Sequence, residues 1–273
     1  MRESPSQTQW RAKQRAPRRR ARHRFDNLQK GRPPPRSGID APVILYGWHT
    51  VTAALANPAR RIHRLWLTEN AARRLANERI SLPTATETVR PDVIAARLSP
   101  DAVHQGLLAE ADPLSAPSLD ELASGTVLVL DQITDPHNVG AILRTAAAFA
   151  VTAIVTTARH SPEATGVLAK AASGALELVP IVTVQNLARA LAALREQGFV
   201  VVGLDSDASD DLAAVALSSP LALVLGAEGK GLRQGTKAVC DRLARLDLPG
   251  AIKSLNVSNA AALALYITQR ALA

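Results

Sequence analysis

The second half of the chain alternates between short apolar segments and longer helical segments, from residue 126 to residue 272. Strands that alternate with helices predict a mostly parallel sheet with helices on both faces. Hydrophobic residues make up 47% of the chain but aromatic residues only 3%. The core must therefore be built from Ala, Val, Leu and Ile, which suits buried parallel strands. The sequence predicts an α/β fold for this half.

Turn residues and apolar runs define the individual elements of that half. The predicted strands span residues 126–131, 153–155, 178–181, 200–204, 221–225 and 244–248. The predicted helices span residues 139–149, 163–173, 186–197, 234–242 and 256–272. In open α/β sheets, ligands bind outside the carboxyl ends of the strands, so the loops that follow these strands are where we expect a site.

A smaller α/β domain is predicted at residues 41–112. Its predicted strands span residues 43–46, 62–67 and 107–110, and its predicted helices span residues 47–56, 69–77 and 91–98. Residues 113–124 contain Pro and Ser at the density of a linker. This linker leads to the second domain, which we assign to residues 125–273.

The amino-terminal segment, residues 1–40, is predicted to be a disordered basic tail. Residues 1–36 hold twelve Lys and Arg but only two acidic residues, whereas the rest of the chain is slightly acidic. The segment is too polar to offset the entropy of ordering. Such an Arg cluster favours contact with nucleic acid, because neutralised phosphates release counterions. A solubilising leader or an organellar transit peptide are the alternatives.

Several classes of protein are disfavoured by what the sequence lacks. Cys240 is the only cysteine, which excludes an internal disulfide and fits a reducing, cytoplasmic compartment. No run of 18 apolar residues is present, so we expect no membrane span. The histidines show no metal-ligand spacing, and the aspartates between residues 205 and 211 are interpreted as a solvated loop. We therefore expect no metal site.

Three short segments in the second half carry polar residues or glycines where a strand gives way to a loop or helix. They are residues 138–144, 226–231 and 254–258. Strand ends of one parallel sheet share an edge, so we expect the segments to meet there. The candidate polar residues are Asn138, Arg144, Glu228, Ser254 and Asn256.

Each segment also has an ordinary structural interpretation. Asn138, Ser254 and Asn256 fit helix caps, whose side chains accept hydrogen bonds from the first turn. Arg144 lies in an otherwise apolar helix, where it is either a surface residue or a guanidinium that contacts an RNA phosphate. The glycines of residues 226–231 fit a tight turn or a close approach of the backbone to a ligand. Their spacing matches neither the phosphate-binding loop of ATPases nor the dinucleotide fingerprint.

Taken together, the three segments resemble the motifs of the SpoU-type (TrmH-like) RNA 2′-O-ribose methyltransferases of the SPOUT superfamily. The first motif reads Asp135-Pro-His-Asn-Val-Gly-Ala-Ile-Leu-Arg144, the second Gly226-Ala-Glu-Gly-Lys-Gly231, and the third Ser254-Leu-Asn-Val-Ser258. The resemblance covers residue 41 to the end. One departure is Asp247, at a position where this family usually has proline.

The resemblance implies the architecture and the cofactor. It implies a C-terminal parallel-sheet SPOUT domain with a trefoil knot, one of the rare exceptions to unknotted topology, and a smaller N-terminal, ribosomal-protein-L30e-like domain that binds the substrate. It also implies a homodimer. S-adenosylmethionine would lie in the knot, in contact with Gly226, Leu246 and Leu255.

The family pattern also suggests roles for the polar residues. Arg144 corresponds to the proposed base of the family, although an arginine that stays protonated would instead orient a phosphate and steady the developing alkoxide. Asn138 would position the ribose or Arg144, and Glu228 would brace Arg144. Ser254 and Asn256 would orient the acceptor and the methionine part of the cofactor.

The two-domain organisation is most similar to the branch of the family that methylates a guanosine of 23S rRNA. A tRNA 2′-O-methyltransferase is the alternative substrate assignment. A non-catalytic RNA-binding protein that assists ribosome assembly is the alternative of a different class. The expected partners are structured RNA and a second copy of the chain.

Overall fold

A four-stranded sheet forms the first folded part of the protein. The structure, a computed structural model, describes residues 42–159 and 166–273, so the predicted basic tail and the start of the helix predicted from residue 163 lie outside the described residues. The elements of this part are β1 (Val43–Tyr46), α1 (Trp48–Ala56), β2 (Ile62–Leu67), α2 (Glu69–Asn77), β3 (Thr86–Thr88), α3 (Pro91–Ala95) and β4 (Leu107–Ala111).

The order of strands in this small sheet is β1-β4-β2-β3. Strand β4 is antiparallel to both of its neighbours, and β3 runs parallel to β2. The predicted strands and the first two helices are confirmed, whereas α3 ends earlier than predicted. Strand β3 was not predicted from the sequence, because its Thr-Glu-Thr segment is too short and polar to stand out.

A seven-stranded sheet forms the second part, and its order is β7-β6-β5-β10-β8-β11-β9. Its elements are β5 (Thr126–Asp131), α4 (Pro136–Ala148), β6 (Ala153–Thr157), α5 (Gly166–Ala172), β7 (Ile181–Val184), α6 (Leu187–Glu196), β8 (Val200–Leu204), β9 (Asp210–Asp211), β10 (Leu221–Gly226), α7 (Gln234–Lys237), β11 (Arg242–Arg245) and α8 (Val257–Leu272). Every pairing in it is parallel. The predicted α/β fold with a parallel sheet is confirmed.

Helices cover both faces of this large sheet, as the alternation predicts. Along β5, Leu128 and Leu130 pack in one buried cluster with residues of α4 and α8. Val127 and Val129 point to the opposite face, where they pack with residues of α6. Successive side chains of a strand point to opposite faces, so a strand buried on both sides is apolar throughout.

Several element boundaries in the second half differ from the prediction. Strand β7 begins at Ile181 rather than at residue 178, because the chain forms a 3₁₀ helix at Ala175–Glu177 and leaves Leu178 exposed. Helix α7 ends at Lys237 and β11 begins at Arg242, both earlier than predicted. The Asp241 carboxylate already accepts a 2.8 Å hydrogen bond from the backbone of Val201, so the chain has joined the sheet there.

The start of α4 also differs, and this bears on the site. The helix begins at Pro136 and is capped by Asp135, whose side chain accepts from the backbone N–H of His137. Asn138 therefore lies inside the first turn, and its interpretation as the helix cap is wrong. The Asn138 side chain is left to make other contacts.

Buried polar contacts join the small sheet to the large one. The Thr50 hydroxyl on α1 donates a 3.0 Å hydrogen bond to the carbonyl of Ala169 on α5. Arg60 forms an ion pair with Glu177, with 2.6 Å between Nη2 and Oε1, and both side chains are only 4% exposed. The two sheets are thus linked by specific polar contacts. Within the two described ranges, no helix is both long and apolar enough to cross a membrane.

Candidate active site

The glycine loop at the end of β10 folds back tightly on itself. A Cβ atom at Gly226 would lie 2.2 Å from the backbone carbon of Gly231, so no other residue fits at Gly226 without a shift of the loop. Ala227 and Gly231 form an isolated antiparallel bridge. Gly229 and Gly231 adopt left-handed backbone with φ of 73° and 62°, which favours glycine. The loop therefore presents Glu228 in a defined position.

Glu228 connects the glycine loop to the start of α8. Its Oε1 atom accepts hydrogen bonds from Asn256 Nδ2 at 2.6 Å and from the backbone N–H of Val257 at 3.0 Å. Asn256 Nδ2 also donates to Asn138 Oδ1 at 3.0 Å. A carboxylate is favourable at a helix N-terminus, where backbone N–H groups are unpaired. We call Asn138, Glu228 and Asn256 the Asn-Glu-Asn cluster.

Asn256 has two functions in this arrangement. Its Oδ1 accepts from the backbone N–H of Ser258 at 3.0 Å and so caps α8, as the structural interpretation predicts. Its Nδ2 joins the other two members of the cluster, which come from distant segments. The Asn256 side chain therefore both caps α8 and takes part in the Asn-Glu-Asn cluster, so the capping interpretation and the site interpretation are compatible for this residue.

Arg144 lies on a different side of α4 from Asn138. Six residues separate them, which places them about a third of a turn apart around the helix. Arg144 is exposed, and among the described residues it makes no hydrogen bond or ion pair. It borders a cavity of about 520 Å³ together with Asn57 and Gly174. Glu228, which the family pattern suggests as a brace for Arg144, contacts Asn256 and Val257 in this chain.

A cavity of about 640 Å³ lies at the carboxyl ends of β8, β10 and β11. Gly226, Leu246 and Leu255, which the sequence assigns to the cofactor, all line it, and so do Glu228 and Ser254. Ser254 is exposed. Five candidate residues, from segments distant in the sequence, thus line one cavity. Asp247, the departure from the family pattern, is exposed on the same wall.

An ion pair that the sequence analysis missed forms part of this cavity. Asp205 binds Lys237, and the Asp205 side chain is 8% exposed, so the interpretation of Asp205 as a solvated loop residue is wrong. Burial raises the pKa of Asp205, but hydrogen bonds from Lys237 and from the Asp207 backbone outweigh it, and the pKa lies below its usual value. The hydrogen bond to Asp205 raises the pKa of Lys237. Both side chains are charged at neutral pH.

A second missed group fixes the far end of the glycine loop. Asp131, at the end of β5, is fully buried. Its carboxylate accepts from the backbone N–H of Arg233 at 3.0 Å, from Arg233 Nε at 2.7 Å and from the Thr236 hydroxyl at 2.7 Å. The sequence feature that could have identified Asp131 is its position as the one charged residue at the end of the otherwise apolar strand β5. This group holds the segment after the glycine loop against the strand that precedes α4.

Chemistry based on cysteine or a metal finds little support in the described residues. Burial raises the pKa of Cys240 to about 11, so its thiol is protonated at neutral pH and is a poor nucleophile. Within residues 42–159 and 166–273, no group of three or more His, Cys, Asp or Glu side chains is arranged to hold a metal ion. The polar chemistry lies in the cluster and the cavity beside it.

Comparison with known protein families gives two matches that together span most of the described chain. The model of the SpoU rRNA Methylase family matches residues 125–266. The model described as RNA 2′-O ribose methyltransferase substrate binding matches residues 44–117.

Curated relatives are similar over most of their length. The 23S rRNA (guanosine-2′-O-)-methyltransferase RlmB of Pseudomonas putida is 39% identical over 234 residues, which is 81% of this chain and 94% of the relative. The enzyme of the same name from Ralstonia nicotianae is 39% identical over 238 residues, 82% of this chain and 93% of the relative.

Solved structures share the fold. A TrmH-family protein from Porphyromonas gingivalis superposes with a TM-score of 0.71 at 29% identity and covers 84% of this chain and 90% of its own. An AdoMet-bound rRNA methyltransferase from Sinorhizobium meliloti gives a TM-score of 0.72 at 23% identity, with 85% and 88% coverage. At that identity the second likeness concerns the fold alone.

Proposed function

The chain belongs to the SpoU rRNA methylase family, and from that membership we propose that it transfers a methyl group to a ribose 2′-hydroxyl of structured RNA. The proposed substrate is a guanosine of 23S rRNA, which the names of its relatives specify. The observation that carries the proposal is the convergence of Asn138, Glu228 and Asn256 beside a cavity of about 640 Å³.

The cavity fits S-adenosylmethionine by its chemistry. Leu246 and Leu255 offer apolar surface for adenine, and Gly226 also lines the cavity. Acidic and basic side chains both line the cavity, among them Glu228 and Lys230, so it offers partners for the charged amino and carboxylate groups of the methionine part. When bound, the cofactor supplies a methyl group activated on a sulfonium. The protein is left to align the acceptor and manage one proton.

The Asn-Glu-Asn cluster is proposed to hold the acceptor nucleotide. Glu228 fixes Asn256, and Asn256 in turn holds the carbonyl oxygen of Asn138, so the Asn138 amide NH₂ group is left in a defined position to donate to a ribose. Ser254 lies on the cavity wall and is proposed to orient the bound groups. Such prior ordering lowers the entropy that must be lost on reaching a reactive geometry.

Arg144 is proposed to bind the phosphate beside the target ribose and to stabilise the developing alkoxide. A guanidinium stays protonated in proteins, so it donates hydrogen bonds and does not accept the proton. The exposure of Arg144 and its lack of a partner among the described residues support this role. A guanidinium that is already paired would have to break that contact before it could bind a phosphate.

A homodimer is proposed to bring Arg144 to the site. In one chain Arg144 and Asn138 are on different sides of α4, so a second copy is the route by which its Arg144 can reach the cluster. Leu263 and Tyr266 expose apolar surface on α8, which pairing would cover. Mixing Arg144→Ala with Asn256→Ala protein tests this: a mixed dimer recovers one complete site and measurable activity only if the site is shared.

The finer features of the fold also remain proposals. A trefoil knot in the C-terminal domain is proposed from the family membership alone. An L30e-like fold is proposed for residues 41–112, with a linker at 113–124 and the catalytic domain at 125–273. The family match over residues 44–117 supports a substrate-binding role for the first domain.

The basic tail is proposed to contact RNA phosphates, and the protein is proposed to act in the cytoplasm. The charge of residues 1–36 supports the first point. A ribosomal RNA substrate, as named for the relatives, supports the second.

The decisive experiment measures methyl transfer from radiolabelled S-adenosylmethionine to unmodified 23S rRNA. We expect Arg144→Ala to abolish transfer while cofactor affinity, measured by calorimetry, stays within a few fold. Arg189→Ala, an exposed arginine on α6, is the matched control and should keep wild-type activity. Near-normal turnover of Arg144→Ala would remove Arg144 from the mechanism.

The alternatives give different outcomes in the same experiment. Transfer to tRNA but not to 23S rRNA would replace the substrate assignment. A wild-type protein that binds RNA but neither binds the cofactor nor transfers methyl would favour the non-catalytic assembly factor.

A further inference from the structure

A separate cavity of about 300 Å³ lies in the small domain, lined by residues that the candidate active site does not use. Its walls include Trp48, Asn70, Arg74, His104 and Gln105. This volume is at the lower end of the range found for ligand pockets. The polar and aromatic lining distinguishes the cavity from a packing defect, which would be apolar.

One wall is an arginine stacked on a buried indole. The Cζ atom of Arg74 lies 3.7 Å from the centroid of the Trp48 ring, and Trp48 is 4% exposed. Arg74 Nε donates a 2.9 Å hydrogen bond to Glu78 Oε1, which fixes the guanidinium further, and the Arg74 side chain remains 56% exposed. One face of the guanidinium thus covers the indole while the rest of the group is open to a ligand.

The opposite wall is the turn before β4, which presents hydrogen-bonding groups. His104 Nδ1 accepts from the backbone N–H of Gly106 at 3.0 Å, so its proton is on Nε2. Burial lowers the pKa of His104, which favours this neutral form. Gln105 Oε1 accepts from the Trp48 backbone N–H at 2.9 Å and from Lys170 Nζ at 2.7 Å. The Gln105 amide NH₂ group is left to donate to a ligand.

We propose that this cavity is a nucleobase subsite for the RNA substrate. An unpaired base stacks on the open face of Arg74, which forms the middle layer between base and indole, and His104, Gln105 and Asn70 contact the edge of the base. Sequence-specific RNA recognition uses unstacked bases of this kind, held on aromatic rings or guanidinium planes.

RNA is favoured over a peptide by the flat, charged platform and by the cations around it. Arg73 is exposed beside Arg74, and Lys170 reaches the turn from α5. These charges suit the phosphates that flank a base. The inference rests on the proposed function, since it names the part of the RNA that the small domain holds.

The experiment measures the affinity of the full chain for unmodified 23S rRNA by filter binding, without methyl transfer. We expect Arg74→Ala to weaken binding by roughly 5- to 100-fold, the range for the loss of one stacked base. Arg74→Lys keeps the charge but not the plane, and should weaken binding nearly as much. Arg97→Ala is the matched control, because Arg97 stacks on Trp66 at 4.9 Å outside the cavity and should bind within twofold of wild type.

Two results would overturn the subsite. One is wild-type affinity for Arg74→Ala. The other is full affinity for Arg74→Lys, which would make the contribution one of charge alone. Thermal unfolding followed by circular dichroism shows whether each variant is folded.

A spectroscopic measurement tests stacking in the unsubstituted cavity. In the Trp10→Phe, Trp66→Phe background Trp48 is the only tryptophan, and we expect binding of the rRNA transcript to change the tryptophan emission. No change in emission when the protein is saturated with RNA would contradict the inference.

The subsite and the proposed function can fail separately. If the wild-type protein transfers no methyl group but Arg74→Ala still weakens RNA binding, the subsite is supported and the proposed function is refuted. If the protein transfers methyl groups and Arg74→Ala leaves the KM for RNA unchanged, the proposed function is supported and the subsite is refuted.

Discussion

Two glutamates in this protein make the same kind of contact in opposite surroundings. Glu177 accepts a 2.8 Å hydrogen bond from Asn57 Nδ2, and Glu228 accepts a 2.6 Å hydrogen bond from Asn256 Nδ2. The Glu177 side chain is 4% exposed and also pairs with Arg60, whereas Glu228 is exposed at the cavity. Glu177 is thus held by two buried partners, whereas Glu228 is open to solvent at the edge of the larger cavity.

The difference teaches where polar contacts stabilise the fold and where they prepare a site. A buried charge that loses its partner stays desolvated, so removal of one member is strongly destabilising. An exposed contact is largely compensated by water when it is lost, so it contributes little to stability. We therefore expect the Glu177 contact to support the position of the small domain and the Glu228 contact to support the reaction.

The largest effect on stability is expected for Glu177→Ala. The change leaves Arg60 buried without its carboxylate, and we expect the free energy of unfolding to fall by about 3–5 kcal/mol. Urea denaturation followed by circular dichroism measures it. Glu78→Ala, which removes an exposed glutamate from a surface ion pair, is the control and should change stability by less than about 1 kcal/mol. Equal small losses for both variants would remove the distinction between buried and exposed contacts.

The second largest effect is expected for Glu228→Ala, and it concerns activity. Without the carboxylate, Asn256 and the start of α8 lose their common acceptor, and a small misplacement of acceptor groups lowers turnover by roughly 10²-fold. We expect the free energy of unfolding to change by less than about 1 kcal/mol. Steady-state methyl transfer measures kcat and KM separately. Glu228→Gln retains an acceptor oxygen and should recover part of the loss; a loss of stability as large as that of Glu177→Ala would refute the comparison.

A third prediction separates the two functions of Asn256. Asn256→Ala removes the cap of α8, and we expect a loss of about 1 kcal/mol in the free energy of unfolding. Asn256→Ser keeps a good cap but lacks the amide that donates to Glu228 and Asn138, so stability should recover while methyl transfer stays low. Denaturation and activity are measured on the same preparations. Full activity of the serine variant would mean that capping alone explains this position.

Elements of this fold could be predicted from the sequence where a short stretch of residues determines them, and not where a contact between distant residues does. The parallel sheet was predicted because strands such as Leu221–Gly226 are apolar on both faces, a pattern that short windows contain. The early end of α7 was missed, because the Asp241 contact with Val201 that starts the next strand joins residues 40 positions apart. No local pattern contains such a contact.

The candidate site was also predicted only in part, where the sequence carries a local motif. Gly226, Leu246 and Leu255 were located through the resemblance and do share one cavity. The Asp205–Lys237 pair was missed because Asp205 is the first of several aspartates in the sequence, and only the fold shows that it alone turns inward to a lysine. The separation of Arg144 from Asn138 was not predicted, although six residues correspond to about a third of a turn around a helix.

The smallest expected effect concerns the Asp205–Lys237 pair, which is intermediate between the two glutamates in burial. The pKa of Asp205 is lowered in the folded protein, so its contribution is present above its usual value of 3.8 and is lost as the pH falls through the folded pKa. The pKa of Lys237 is raised, so its contribution is present below its usual value of 10.5 and is lost as the pH rises through the folded pKa.

We therefore expect Asp205→Asn to lower the free energy of unfolding by about 1 kcal/mol at neutral pH, with the difference from wild type shrinking toward both acid and alkaline conditions. Urea denaturation across that range measures the difference. Asp101→Asn, which changes an exposed aspartate of the small domain, should give a difference near zero throughout. A difference for Asp205→Asn that does not depend on pH would mean that packing of the residue, rather than its charge, stabilises this wall of the cavity.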